Sequence, residues 1–338
     1  MNILVTGGAG FIGSHTVVEL FLAGHNPIVL DNYSNSTPAM IQGIESIIHQ
    51  KVSVYEGDFA DKSLLKRILE KENIEGVIHF AAFKAVGESV KKPLKYYKNN
   101  VSGTIDLMEV LLEKGIQNVV FSSSCTVYGE PDAIPVTEET PRKPATSPYG
   151  NTKTMCEDIL RDIVVAGEPM KIISLRYFNP VGAHSTAAIG ELPNGVPSNL
   201  VPFITQTAAG IREKLIVFGN TYQTPDGSNV RDFIHVVDLA KAHVAALSFL
   251  TTQNAPLYDI FNIGTGQGNS VLELINVFEK VNNLTLSYEI GPARAGDVEK
   301  IYGNVDKAAR ILGWKTEKTL EDSLRDAWSW QKALSKKV

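Results

Sequence analysis

Through the first half of the chain, short apolar runs alternate with longer stretches whose apolar positions recur every three or four residues. The runs at residues 2–6, 27–31, 52–56, 76–80, 118–123 and 171–177 are near-continuous in β-branched and other apolar residues, as strands covered on both faces require. The periodic stretches at residues 12–22, 40–49, 62–71, 93–114 and 153–165 predict helices. Such alternation builds βαβ units, hence a parallel sheet with helices on both faces.

The pattern loosens after Tyr177. Residues 179–202 carry many Gly, Pro, Asn and Ser and predict loops. A helix at 201–212, short strands at 215–218 and 230–235, a helix at 237–250, and segments at 258–263, 270–282, 284–290 and 320–334 complete a smaller mixed lobe. The expected fold is therefore α/β: a Rossmann-type doubly wound parallel sheet with a smaller mixed α/β C-terminal substrate lobe. The first domain is expected over residues 1–178 and the second over 179–338, with some interleaving. A doubly wound sheet binds its ligand at the carboxyl ends of its strands. The loop-rich second lobe is placed to cover that crevice.

Composition narrows the class. With 338 residues there is room for two lobes. Charged residues at 20% and hydrophobic residues at 43% argue against a disordered chain. A net charge of −5 gives nucleic-acid binding no electrostatic support. Two cysteines, Cys125 and Cys156, are too few for a disulfide scaffold. No apolar run approaches the roughly 20 residues that span a bilayer. The first residues carry no basic or long apolar leader pattern. A cytoplasmic protein without nucleic-acid, membrane or metal partners is expected.

The chemistry begins with Gly7, Gly10 and Gly13, which form GxxGxxG between a strand and a helix. Glycines there permit a tight turn and close backbone approach to a pyrophosphate, at a helix N-terminus that favours anions. Asp31 ends the second strand, about 18 residues after Gly13, where a carboxylate accepts hydrogen bonds from the adenosine ribose. No arginine follows in residues 32–36, so NAD rather than NADP is expected. Asp58 suits the adenine amino group.

Tyr149-Gly150-Asn151-Thr152-Lys153 is YxxxK, whose i and i+4 positions share a helix face. A tyrosine is a poor base at its free pKa of about 10. A nearby ammonium and the positive nicotinamide ring stabilise the phenolate. Tyr149 is therefore expected as acid and base, beside Lys153. Ser124, ending Ser122-Ser123-Ser124, is expected to hydrogen-bond the reacting oxygen or relay its proton.

These motifs, with His79-Phe80-Ala81-Ala82, resemble the extended short-chain dehydrogenase/reductase superfamily. Lys84-Ala85-Val86-Gly87-Glu88-Ser89, Thr126-Val127-Tyr128-Gly129, residues 176–184 and Val230-Arg231-Asp232 resemble its UDP-glucose 4-epimerase branch over nearly the whole chain. The resemblance implies that Phe11, Ile12, Asn32, Asn35, Ser36, Phe59, Phe80, Ala81, Ala82, Lys84, Asn99, Tyr177 and Phe178 also line NAD. It implies that Asn179, Asn199, Leu200, Phe218, Arg231, Arg294 and Asp297 hold the UDP part, and that Ile301 borders the substituent on sugar C2. The implied reaction interconverts UDP-glucose and UDP-galactose through a transient 4-keto sugar with NAD tightly bound. N-acetylated counterparts are expected to turn over less well. Two departures stand out: Phe233 where the family often has tyrosine, and Cys125 where alanine is common.

A nucleotide-sugar 4,6-dehydratase is the nearest rival. Relatives with that activity carry an Asp-Glu pair where this chain has Cys125 and Thr126. A net dehydrogenase would need exchangeable NAD, and a non-catalytic NAD sensor would not need Tyr149 and Lys153 in register. A homodimer is expected from the family, with an apolar stripe at Val101, Ile105, Met108 and Leu112 as the sequence contribution.

Overall fold

The computed structural model describes residues 1–293 and 297–335. In chain order the first half runs β1 (Asn2–Thr6), α1 (Phe11–Leu22), β2 (Asn26–Asp31), α2 (Pro38–Ile48), β3 (Ser53–Glu56), α3 (Lys62–Glu72), β4 (Gly76–His79), α4 (Val86–Lys91), α5 (Pro93–Tyr96), α6 (Gly103–Glu113), β5 (Asn118–Ser122), α7 (Pro148–Val165) and β6 (Lys171–Tyr177). The second half runs β7 (Asn179–Val181), α8 (Leu200–Ala208), β8 (Leu215–Phe218), β9 (Val230–Arg231), β10 (Phe233–His235), α9 (Val236–Thr251), β11 (Leu257–Ile263), β12 (Asn269–Ser270), α10 (Val271–Asn282), β13 (Tyr288–Gly291), β14 (Lys300–Ile301) and α11 (Leu320–Ser335).

Seven parallel strands form one sheet in the order β3-β2-β1-β4-β5-β6-β11. The strand order reverses between β1 and β4, so the ligand crevice of a doubly wound sheet opens above Thr6 and His79. Alternate residues enter opposite layers. Ile3 and Val5 join Val17, Ile44 and Leu247 on the face covered by α1, α2 and α9. Leu4 joins Leu65, Leu107 and Leu160 on the face covered by α3, α6 and α7. The expected doubly wound sheet is thus present. Its seventh strand β11 and covering helix α9 come from beyond residue 178, so the two lobes interleave in sequence. The smaller lobe has its own core, in which Ile204, Leu215, Leu274, Phe278 and Leu324 pack together.

Several elements differ from their expected form, among them the strand expected at 230–235, which is split into β9 and β10 in different sheets. The helix expected at 93–114 carries a π-type segment, Tyr97–Ser102, between α5 and α6. Within it, Asn100 exchanges two hydrogen bonds with the backbone of Phe83, each at 2.9 Å, and so holds the loop after β4. Helix α7 begins at Pro148 rather than at residue 153, because Ser147 accepts from the Gly150 amide at 3.2 Å and Pro148 fills the first turn. Of residues 284–290, only those from Tyr288 on form a strand, paired with β8. The stripe offered for self-association is also mostly internal: Val101 and Met108 are buried against the sheet layer and only Ile105 is exposed. Among the described residues no helix is long and apolar enough to cross a membrane.

Candidate active site

A cleft of about 800 Å³ lies above the carboxyl ends of the sheet, walled on one side by the first lobe and on the other by the second. Its floor is the glycine loop. Gly7 adopts φ +70°, and a Cβ there would meet the Ala81 amide nitrogen at 2.9 Å. A Cβ on Gly13 would come within 2.2 Å of the Gly7 carbonyl oxygen. Gly10 caps α1 without any side-chain bond to the helix, and the first turn holds no acidic residue. The positive end of α1 is therefore left to an anion.

Asp31 stands at the end of β2 and locks this floor. Its Oδ2 accepts from the Ala9 amide at 2.9 Å, and its Oδ1 accepts from the Tyr33 amide at 2.9 Å and the Ser36 hydroxyl at 2.8 Å. Gly7, Gly10, Phe11, Ile12 and Gly13 line the cleft beside it, as do Asn32, Asn35 and Ser36. So do Phe59, Phe80, Ala81, Ala82, Lys84 and Asn99. Asp58 stands between the cleft residues Gly57 and Phe59; its Oδ1 accepts from the Ala60 amide at 2.9 Å and its Oδ2 from the side-chain amide of Asn32 at 3.4 Å.

Ser124, Tyr149, Lys153, Tyr177 and Phe178 converge on the deep wall. The first turn of α7 brings Tyr149 there, buried. Burial pushes its phenol well above the usual range; the Tyr177 phenol adds to this and the Ser124 hydroxyl opposes it. Ser124 Oγ also accepts from the Thr126 amide at 3.2 Å. One helical turn on, Lys153 Nζ donates to the Ser122 carbonyl at 2.6 Å and sits 4.8 Å from the centre of the Phe121 ring. Burial lowers Lys153 to about 8, with Cys156 and Glu157 opposing. The expected depression of Tyr149 by this ammonium does not arise from the chain itself. The ammonium is committed to the Ser122 carbonyl, and desolvation dominates at the phenol. Behind them Glu157, buried on α7, accepts from Ser123 Oγ at 2.5 Å and from Arg176 Nε and Nη2, at 2.9 and 2.6 Å. This network pins α7 to β5 and β6.

From the second lobe, Asn179, Asn199, Arg231, Asp297 and Ile301 reach the cleft. Ile301 lies opposite Arg231 in the β14–β9 register and packs with Cys125 and Phe178. Burial lowers the Arg231 guanidinium, and Asp297 opposes it. Leu200 and Phe218 stand outside the cleft lining, at the start of α8 and the end of β8. Arg294 lies outside the described residues. Phe233, the departure from tyrosine, is buried in the second-lobe core. Thr126 and Glu191 are among the cleft residues to which the sequence reading gave no site role. Thr126 has a buried hydroxyl without a hydrogen-bond partner, and its place at the head of the Thr126-Val127-Tyr128-Gly129 motif, two residues after Ser124, could have signalled it. Glu191 lies in a loop with no motif of its own.

A family model described as GDP-mannose 4,6 dehydratase matches residues 4–327. The UDP-glucose 4-epimerase of Haemophilus influenzae is 50% identical over 332 residues, covering 98% of each chain. Among solved structures, the UDP-glucose-4-epimerase of Stenotrophomonas maltophila with bound NAD and formylated UDP-arabinopyranose superposes with a TM-score of 0.97 at 46% identity, covering 100% of both chains. That of Bifidobacterium longum in complex with NAD+ and UDP gives 0.94 at 46% identity, covering 98% of both. By its sequence, its fold and the cleft between its lobes, this chain belongs to the UDP-glucose 4-epimerase family of the extended short-chain dehydrogenase/reductase superfamily.

Proposed function

We propose that this protein interconverts UDP-glucose and UDP-galactose with NAD held through turnover. The observation that carries this reading is the meeting of Tyr149, Ser124 and Lys153 with the glycine loop in one cleft. Relatives of the same length carry the epimerase name, and two of the solved neighbours hold NAD with a UDP compound.

The chain fits NAD at the bare N-terminus of α1 and at the cradle where Gly7 and Gly13 leave no room for a Cβ. Gly7, Gly10, Phe11, Ile12 and Gly13 would hold its pyrophosphate, and Asp31 the adenosine ribose. Bound NAD would supply a reversible hydride acceptor for a 4-keto stage at the sugar C4. The chain's own part is proton transfer, grip and exclusion of water. Tyr149 takes the proton of the sugar 4-hydroxyl, with Ser124 bridging, and returns it to the product. Lys153 holds the helix that carries Tyr149 against the strand leading to Ser124, through its bond to the Ser122 carbonyl. Arg231 and Asp297 hold the UDP half, with Asn179 and Asn199 beside them; a guanidinium suits a pyrophosphate. A hexose tethered mainly through its UDP can turn and present either face of C4 to the same wall.

The family model's description brings in the 4,6-dehydratase reading. That elimination needs an additional acid and base near the sugar. Burial pushes the Cys125 thiol up to about 12, and Thr126 offers only a hydroxyl. The wall beside Ser124 therefore lacks the pair. Ile301 is smaller than an aromatic gate yet stiff, so N-acetylated UDP-hexoses are read as slower substrates. The protein is read as a homodimer through the helices around residues 96–112 and 153–165, on which Ile105 and Met155 are exposed. Both cysteines are buried and unpaired, which accords with a reducing cytoplasm. The test is incubation with UDP-galactose and no added NAD: UDP-glucose is the expected product, and a stable 4-keto-6-deoxy sugar overturns the reading.

A further inference from the structure

Glu191 is tied to both lobes at once. Its Oε1 accepts from Lys84 Nζ at 3.2 Å and from Asn199 Nδ2 at 2.6 Å. Lys84 follows β4 of the large sheet, whereas Asn199 heads α8 of the small lobe. All three residues line the cleft. The backbone at Glu191 is itself fixed: the Trp330 indole N–H donates to its carbonyl at 2.8 Å, and the Trp330 ring lies where a Cβ on Gly190 would fall. Asparagine is a preferred helix cap. Yet Asn199 makes no side-chain bond to α8, and its amide is turned to Glu191 instead.

The strength of the ion pair does not explain this arrangement. The Lys84 side chain is 42% exposed and that of Glu191 12%, and a pair so placed attracts only modestly. Its consequence is positional. One carboxylate oxygen holds a cationic group from the cofactor lobe and an amide from the nucleotide lobe, in one geometry, across one cleft.

We propose that Glu191 is a positioning residue that holds Lys84 and Asn199 ready for the cofactor and the UDP-sugar and thereby joins the two lobes at the binding site. The proposal rests on the functional reading above. Without Glu191, Lys84 and Asn199 regain rotamer freedom and must be ordered when ligand binds. That loss falls on binding, because neither group takes part in proton transfer at Tyr149.

The test uses the full-length, NAD-loaded protein and measures UDP affinity by calorimetry and steady-state kinetics with UDP-galactose. Ordering two freed side chains predicts about a tenfold loss of UDP affinity and a matching rise in KM for Glu191→Ala, with kcat moving less than about threefold. Glu191→Gln retains an acceptor oxygen and is expected between the parent and the alanine variant. Asn199→Ala in the Glu191→Ala background is expected to add much less than it does alone, since the two act as a unit. Melting temperature, measured alongside, is expected to stay near the parent's, and release of Lys84 is expected to weaken NAD retention. An unchanged UDP affinity in Glu191→Ala, or losses that simply add with Asn199→Ala, overturns the proposal. Should the alanine variant not fold, the same cycle with Glu191→Gln decides it. UDP binding tests Glu191 even in a protein that proves unable to epimerise, so the two readings fail separately.

Discussion

Lys153 donates to the main-chain carbonyl of Ser122 at 2.6 Å, and this bond ties the helix that carries Tyr149 to the strand that leads to Ser124. The proposed acid/base thus gains its position from the lysine before it gains any charge stabilisation. Tyr149→Phe removes the proton and little else. It is expected to keep the fold and the bound NAD and to lose at least ~10²-fold in kcat, the low end for deleting a general acid/base. Near-native turnover by that variant would reassign the proton transfer.

Three buried histidines make the fold sensitive to acid. Burial lowers His15 and His79 to about 3 and His243 to about 4, each from an ordinary value of 6.5. Their folded pKa values lie below the unfolded ones. The stability they contribute is therefore present above about pH 6.5 and is lost as pH falls towards 3–4. Each group changes stability by up to about 1.4 kcal/mol per pH unit within that window. Urea midpoints between pH 7.5 and 5 are expected to fall steeply. His243→Gln, which can retain a donor to the Leu239 carbonyl, is expected to flatten the slope. An unaltered slope would place the acid sensitivity elsewhere.

Ile301 is buried at the cleft wall opposite Arg231 in register, in one apolar cluster with Cys125 and Phe178. Ile301→Tyr fills the space next to it. Because a hydrophobic pocket discriminates by roughly 1–3 kcal/mol per methylene, the ratio of kcat/KM for UDP-galactose over UDP-N-acetylgalactosamine is expected to rise at least ~10-fold. An unchanged ratio would show that another residue bounds the sugar C2 position.

Val90, Leu94, Ile105 and Met155 are exposed apolar side chains on or beside the helices proposed for self-association. Leu94 is 82% exposed, the most of any large apolar residue among those described. Light scattering at micromolar concentration is expected to give a dimer mass, and Leu94→Glu a monomer with intact secondary structure. A monomeric parent protein would contradict this assignment.

How much of this was legible in the chain depends on the range of the interaction. Strands β1 to β6 are short apolar runs between turn signals, and their bounds follow the local pattern within a residue or two. The glycine loop, Asp31 and YxxxK were readable because each is a fixed local spacing, although their partners Ala81, Ala9 and Ser122 lie far off in sequence. The π-type segment in the helix after Lys92 was not, because it leaves apolar periodicity nearly intact while Asn100 reaches back to Phe83. The start of α7 was readable from Ser147-Pro148 but hidden behind the stronger Lys153 periodicity. Strand β13 takes its register from β8, far away in sequence. Glu191 is the extreme case: its partner Lys84 lies 107 residues earlier, and nothing near it in the chain predicts the contact.

The central claim is that one carbon of the sugar is oxidised and reduced again within a single cleft. UDP-galactose carrying deuterium at C4 tests it most directly, with the purified protein and no added NAD. The account predicts UDP-glucose that retains the deuterium at C4. Loss of the label to solvent, or accumulation of a 4-keto-6-deoxy product, would contradict it.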